Sequence, residues 1–574
     1  MNKIRNFENW IIRIALLICL TALFSGLLAN IVGLDHNSDQ GLMRIPLVEV
    51  GFLISATSIA LLFHRRWGSK TINWIIFCTV LQCVLVYFWY ETAGTMKFIN
   101  STLYYDMQAQ AFLHGQLDLL QKPSPELLAL PDPYDPTQNS PYRLHDAVLY
   151  NGKYYLYWGP FPALLLAGMK LATNLTFSDS ILVLLFMSGN IMFLSLILME
   201  LSRKTFPISP NWILVSSVLI GGLMNPALWL LARPAIYEAS ITGGQFCLLA
   251  GIFFGLTAFE VEGFSTAKLI LSGAFLAFSV LSRISLVLAV FWVAVGIGFT
   301  IIKRLVSLKR ALKPVLAFSI PLMLGATMLF MYNVLRFGSP FEIGTRYQLA
   351  GIDIRKIVEN GSYISPMNIL PSLNTYFFFP TQKIPTFPLI VAPWNGDYNL
   401  DLINAALNSP NRFMLIEPIA GVMNTSPVLW FAILPVPFCI DRILRRKLTK
   451  DHLLESEKFD GSILSNKTWL FHLLIGLVVF TFMPISIIFA PTMRYIFDFS
   501  PSLYLLAYMG LLFGRMILKP KWEKNIITIC FLALGLITII NGMLLGITSY
   551  FGYFSSNNPE LFKVLVGLFS FGKY

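Results

Sequence analysis

Residues 71–92 read TINWIIFCTVLQCVLVYFWYET, and residues 101–116 read STLYYDMQAQAFLHGQ. The first stretch is predominantly apolar over about 20 residues, the length a helix needs to cross the hydrocarbon core of a bilayer. The second reads as a helix with two kinds of face. Leu103, Met107 and Ala111 recur at four-residue spacing and form its apolar side, while Asp106, Gln110 and His114 form a polar stripe. Gly115 is a natural stop. This pair of segments predicts an acid at the membrane surface soon after a span ends, where a base could meet a water-borne acceptor and a lipid-borne donor.

Apolar runs recur on both sides of this pair. By the ~20-residue rule about thirteen spans are expected, near 10–33, 45–63, 71–92, 178–201, 211–232, 239–259, 267–282, 285–302, 314–335, 422–441, 468–489, 500–517 and 525–548. The fold class predicted is an all-α polytopic membrane protein. Two extra N-terminal spans fill 1–70, and a core fills 71–336 with a first large outer loop at 93–177. A second large outer loop fills 337–421, and C-terminal spans fill 422–574. Asn558 to Phe571 reads as a short helix lying in the outer interface. The first apolar run, Trp10 to Leu34, is too long for a signal-peptide core and is expected to remain as a span.

Composition agrees. The chain of 574 residues is 56% apolar and only 13% charged, whereas a soluble surface needs about 25% charged residues. The formal charge of +12 is spread over short clusters between apolar runs, which excludes a nucleic-acid-binding patch. Those clusters include Arg65, Arg66 and Lys70; Lys309, Arg310 and Lys313; and Arg442, Arg445 and Arg446. With Lys3 and Arg5 inside they alternate as the positive-inside rule requires, except for a weakly basic loop at 260–267. The N-terminus is then expected inside and the C-terminus outside. The 6 cysteines lie in apolar segments without CxxC spacing, so neither a disulfide framework nor a zinc site is expected. There is no GxxxxGK[ST] loop and no HExxH motif. Asp132, Asp135 and Asp146 could hold a divalent cation, but shaping turns is the commoner use of such residues, and no cofactor is expected.

The first outer loop continues with PDPYDP (131–136), YRLHDA (142–147) and NGKYYLYWGPFP (151–162). Tyr154, Tyr155, Tyr157 and Trp158 could stack on sugar rings or form an interfacial aromatic belt. A span, an acid leading an Ala-rich amphipathic helix ended by Gly, and then a Tyr-rich, Pro-bounded segment resemble the multispanning glycosyltransferases of the C-type (GT-C) fold. That group includes protein mannosyltransferases and bacterial lipid A aminoarabinose transferases, and the chain is especially similar to bacterial membrane proteins carrying this same string. The resemblance implies a GT-C core over roughly 71–300, with further matches near 330–350 and 490–510. It also implies Asp106 as the catalytic acid, although relatives often carry paired acids where Asp106 is followed by Met107.

Several ionisable residues interrupt apolar surroundings, where charge is expensive and functional by default. Arg233 and Glu238 bound a short outer turn, and serve either a substrate or an internal ion pair. Arg283 lies at the outer end of a helical hairpin, placed to bind phosphate or to snorkel. Residues 333–348 add Arg336, Glu342, Arg346 and Tyr347, and residues 490–499 add Arg494, Tyr495 and Asp498. The planar fork of arginine suits phosphate, which favours Arg494 and Arg346. His145, Tyr154 and Tyr155 complete the expected substrate-binding set with these. The resemblance thus implies transfer of a sugar from a polyprenyl-phosphate donor to an envelope glycan, lipid or protein, with inversion and with Asp106 as base. The expected site is the outer face of a bacterial inner membrane. A transporter or flippase of a lipid-linked saccharide is the alternative, and a non-catalytic assembly subunit a third reading.

Overall fold

The apolar runs fold as helices because, in lipid, every backbone polar group must be satisfied within its own segment. The computed structural model describes residues 72–98, 102–207, 209–260, 263–304, 308–393, 417–436, 467–550 and 552–569. In chain order the helices used below begin with α1 (Ile72–Glu91), α2 (Tyr104–Leu113), α3 (Phe161–Thr173) and α4 (Asp179–Glu200). Next come α5 (Asn211–Leu223), α6 (Ile236–Thr257), α7 (Thr266–Ser282), α8 (Val287–Arg304) and α9 (Leu308–Phe337). The set closes with α10 (Lys467–Ser486), α11 (Ser500–Ile517), α12 (Lys521–Thr548) and α13 (Pro559–Phe569).

Among the described residues 7 helices are long and apolar enough to cross a membrane: α1, α4, α6, α8, α9, α10 and α12. The chain is an integral multi-pass membrane protein. The expected spans at 10–33 and 45–63 lie outside the described residues. Two others are corrected. The run 211–232 is not one helix: α5 stops at Leu223, Met224 is extended, and Pro226, which has no N–H to donate, precedes a separate short helix, Ala227–Leu231. The run expected at 422–441 begins as a single turn, Val422–Thr425, and a 3-10 segment, Pro427–Ile433, with residues 437–441 outside the described set. The all-α expectation also needs amending, because three two-stranded antiparallel pairs occur among the described residues. The pair that matters here is β1 (Val148–Tyr150) with β2 (Lys153–Tyr155), turned at Asn151 and Gly152, both with positive φ.

Helix α6 packs between α4 and α7, α7 packs on α9, and α8 packs on α10. Helix α11 is buried from Ser500 through Phe513 and forms the central pillar. The 3-10 segment Pro427–Ile433 lies against it, and a Cβ on Gly510 would sit 2.1 Å from the Phe431 carbonyl oxygen, so only glycine allows this approach. On the periphery α9 exposes Leu316, Met323, Leu324, Met331 and Leu335, the surface expected against lipid tails.

The two large loops interlock on one face of the bundle. Val148 bridges to Gln348, the Leu349 amide donates to the Ala147 carbonyl at 2.9 Å, and the Asp146 amide donates to the Leu349 carbonyl at 3.0 Å. Arg143 reaches the Ala350 carbonyl at 2.8 Å, and Arg355 pairs with Asp132 at 2.6 Å. Ile364 of the second loop bridges to Ile488 just beyond α10. The C-terminal helix α13, expected over 558–571, joins the same face through Phe387 against Phe569, with ring centroids 5.3 Å apart.

Candidate functional site

Where the loops meet the ends of α7 and α9, a cleft opens with about 790 Å³ of empty space, counting its open mouth. Its lining is part apolar, with Val280, Ile284, Leu329, Ile485 and Ile488, and part polar, with Tyr157, Arg283, Arg336, Tyr363 and Tyr495. Gly159 makes the junction possible. A Cβ there would lie 2.0 Å from the Leu281 carbonyl oxygen, so the first loop can be pressed onto the end of α7 only with glycine at this point. Tyr157 and Trp158, next to it, line the cleft and stack on each other at 4.2 Å.

Arg283 sits at the C-cap of α7 in extended conformation. Its Nε and Nη2 donate to the two oxygens of Asp498 at 2.7–2.8 Å, and its guanidinium lies 4.8 Å from the Tyr495 ring centroid. Asp498 is 0% exposed. This two-oxygen contact fixes the fork rigidly, and Nη1 belongs to the opposite edge of that fork. Arg336, at the end of α9, is held differently. It donates to the carbonyls of Leu156 (2.5 Å) and Tyr332 (3.3 Å) and to Asn333 (2.9 Å), with the Tyr332 ring 3.7 Å away. Among the described residues no carboxylate lies within ion-pairing distance of it, so its charge is left for something else to balance.

A second group adjoins this lining through Tyr157. Arg494 is buried, with Glu417 at 2.9 Å, Glu238 at 3.7 Å and the Tyr237 ring 4.1 Å away. At 3.7 Å the Glu238 contact is one of charge, not a hydrogen bond, and both Glu238 oxygens are without hydrogen-bond partners. The Tyr237 hydroxyl donates to Asp146 Oδ2. Gln348 donates to Asp146 Oδ1 at 2.9 Å and lies 3.4 Å from the Tyr157 hydroxyl. His145 Nε2 is 3.4 Å from Asp146 Oδ2 and itself exposed. A chain of contacts thus runs from Arg494 through Tyr237 and Asp146 to Tyr157 at the cleft wall.

The expected residues divide. The structure brings Arg283 to the cleft, and it puts Glu238, Arg494 and His145 within the adjoining group. Arg233 is half-buried beside Tyr550, 5.5 Å from its ring centroid. Tyr154 and Tyr155 are buried in β2, the first receiving the Leu144 amide at 3.2 Å and the second packed on Phe337. Both side chains pack into the core. Tyr347 packs on Tyr150 at 4.8 Å, and Arg346 is exposed and paired with Glu342 at 2.5 Å. Asp106 is also not where the helical pattern placed it. The stripe does not face water as a unit: His114 is exposed, but Asp106 is 5% exposed. Its Oδ1 accepts from Lys170 of α3 at 2.6 Å and from the Phe177 amide at 3.0 Å.

Sequence reasoning passed over Lys170, Tyr237, Gln348 and Glu417, gave no role to Arg336, and read Asp146 as a turn acid or a cation ligand. The available signal for Arg336 was a cation ending the long apolar run of α9. Among the described residues no group of three or more His, Cys, Asp or Glu side chains is placed to hold a metal ion.

No protein-family model and no curated protein matches the chain. Among solved structures it is similar to the Archaeoglobus fulgidus oligosaccharyltransferase in its apo form, with 12% identity and a TM-score of 0.37 over 82% of this chain and 56% of that one. It is also similar to ArnT from Cupriavidus metallidurans bound to undecaprenyl phosphate, with 13% identity and a TM-score of 0.37 over 85% of this chain and 78% of that one. The chain spans 56% of the oligosaccharyltransferase's length. Likeness at this depth carries no argument about chemistry, which rests on the residues themselves.

Proposed function

We propose that the protein transfers a sugar from a polyprenyl-phosphate-linked donor to an acceptor hydroxyl on the outer face of a bacterial inner membrane, with inversion at the anomeric carbon. The carrying observation is the cleft itself: its lining joins apolar side chains near membrane-helix ends to Arg336, which has no carboxylate partner among the described residues. An isoprenoid tail suits the first and a phosphate the second. Tyr157, in the same lining and backed by Trp158, offers a ring face to a sugar. The acceptor, an envelope glycan, lipid or protein, arrives from the loop face, and no nucleotide site is required.

The buried ionisable groups favour an enzyme over the transporter reading. Glu91, Glu238, Arg283, Arg336, Arg494 and Asp498 all lie at helix ends next to the outer loops, whereas a translocation path needs such groups deep within several spans. The base expected from the resemblance, Asp106, has its Oδ1 held by the buried Lys170 ammonium and the Phe177 amide, a geometry that ties elements together. We therefore give the Asp106–Lys170 pair the role of anchoring α2 to α3.

A photoreactive polyprenyl phosphate tests the substrate class. It should crosslink to the lining at Val280, Ile284 and Leu329. Arg336→Gln should weaken binding by roughly 10–100-fold, the equivalent of ~1.5–3 kcal/mol for a charge-assisted hydrogen bond. Crosslinks confined to the lipid-facing surface of α9, with Arg336→Gln binding normally, would exclude the cleft.

A further inference from the structure

We infer that Asp146 is the carboxylate base of this site, aimed by Tyr237 and Gln348; the inference rests on the sugar-transfer reading. A base must be ionised, reachable and not neutralised by a fixed cation. The neighbouring acids fail one condition or another. Asp498 is held by Arg283, Glu417 by Arg494, Asp132 by Arg355 and Asp106 by Lys170. Asp179 is consumed in capping α2, accepting the Tyr104 and Tyr105 amides at 3.0 and 3.1 Å.

Asp146 differs. Its oxygens face the Tyr237 hydroxyl, the Gln348 amide and His145, with no lysine or arginine paired to it among the described residues. Its side chain is 11% exposed, so solvent reaches it. The backbone at Asp146 is left-handed, φ 61°, a conformation that Asp and Asn tolerate better than other L-residues with a Cβ, and it is pinned where the two loops interlock. Through Gln348 it abuts Tyr157 of the cleft wall.

In the step inferred, the acceptor O–H gives its proton to the Asp146 carboxylate as the acceptor oxygen's electron pair forms a bond to the sugar's C1. The bond from C1 to the phosphate oxygen breaks, and its electron pair leaves with the phosphate, where Arg336 and the Nη1 edge of Arg283 meet the growing charge. The exposed imidazole of His145 then passes the proton from Asp146 to water.

The test is single-turnover transfer by the purified full chain, with radiolabelled polyprenyl-phosphate sugars and crude envelope acceptors. Wild-type transfer establishes the parent reading separately; its absence sinks both. Asn tolerates the left-handed turn and keeps a hydrogen-bonding side chain, so Asp146→Asn should fold. It is expected to lose ~10²–10⁴-fold in rate, with donor binding retained. Tyr237→Phe keeps the ring over Arg494 but removes a hydrogen bond that aims the carboxylate. Its transfer rate should therefore fall with donor binding unchanged. The other groups facing Asp146 (Tyr104, His145, Tyr157 and Gln348) are unchanged in that variant. Wild-type rates in Asp146→Asn, loss of donor binding along with rate, or a wild-type rate in Tyr237→Phe would each overturn the assignment.

Discussion

Lys170 and Asp106 face each other at 2.6 Å with side chains 6% and 7% exposed. Removing one member of such a pair strands a buried charge, at a cost of roughly 3–5 kcal/mol. Lys170→Met should therefore lower the unfolding temperature sharply in detergent, and adding Asp106→Asn should recover much of the loss. A single variant as stable as wild type would refute the pair. Arg494 calls for a different experiment. Its guanidinium bridges Glu417 and lies flat near Tyr237, which in turn holds Asp146. Lysine keeps the charge but not the plane, so Arg494→Lys should slow transfer without weakening polyprenyl-phosphate binding. Weakened binding with an unchanged rate would instead return Arg494 to the phosphate, the role first expected for it.

At the scale of elements, the first loop is built as a rigid frame around β1 and β2. Asp118 accepts from Lys122 at 2.9 Å and from Lys153 of β2 at 3.2 Å. Burial pushes its carboxyl up, but the bonds from Lys122 and Lys153 outweigh this and hold it below the ordinary value. A depressed carboxyl stabilises the fold above its unfolded pKa of ~3.9 and ceases to do so as the pH falls through the folded value. Asp118→Asn should therefore speed amide exchange over 148–155 near neutral pH, and the difference from wild type should vanish in strong acid. A difference that persists there would contradict the ionic tie.

The elements also show what sequence could and could not reveal. That a helix ends just before Gly115 was readable from local signals, but its start at Tyr104 and the burial of Asp106 were not. The 211–232 run was misread because apolar composition does not register whether the backbone N–H ladder continues; Pro226 was the overlooked signal. Arg283 stood out as a charge in an apolar run, whereas Asp146 looked like another turn acid beside Asp132 and Asp135. Its distinction lies in its partners: Tyr237 is 91 residues away and Gln348 202 residues away. Packing decides such pairings, as it does for Arg283 and Asp498, 215 residues apart, and spacing cannot.

For the whole molecule, the interlocked loops place Asp132, Asp146, Gln348 and Arg355 on one face of the bundle. Cysteine labelling should find Asp106 and Tyr363 on the outer side and Lys309 and Arg446 on the inner side; Asp106 and Arg446 on the same side would overturn the topology. The central claim is that a bond is broken here and not merely a lipid moved. Its most direct measurement is a single turnover in proteoliposomes with doubly labelled polyprenyl-phosphate sugar, following lipid and sugar separately. The account predicts that free polyprenyl phosphate appears as the sugar joins the acceptor, and that Arg336→Gln slows both together. Donor recovered intact in the opposite leaflet, with no sugar on any acceptor, would contradict it.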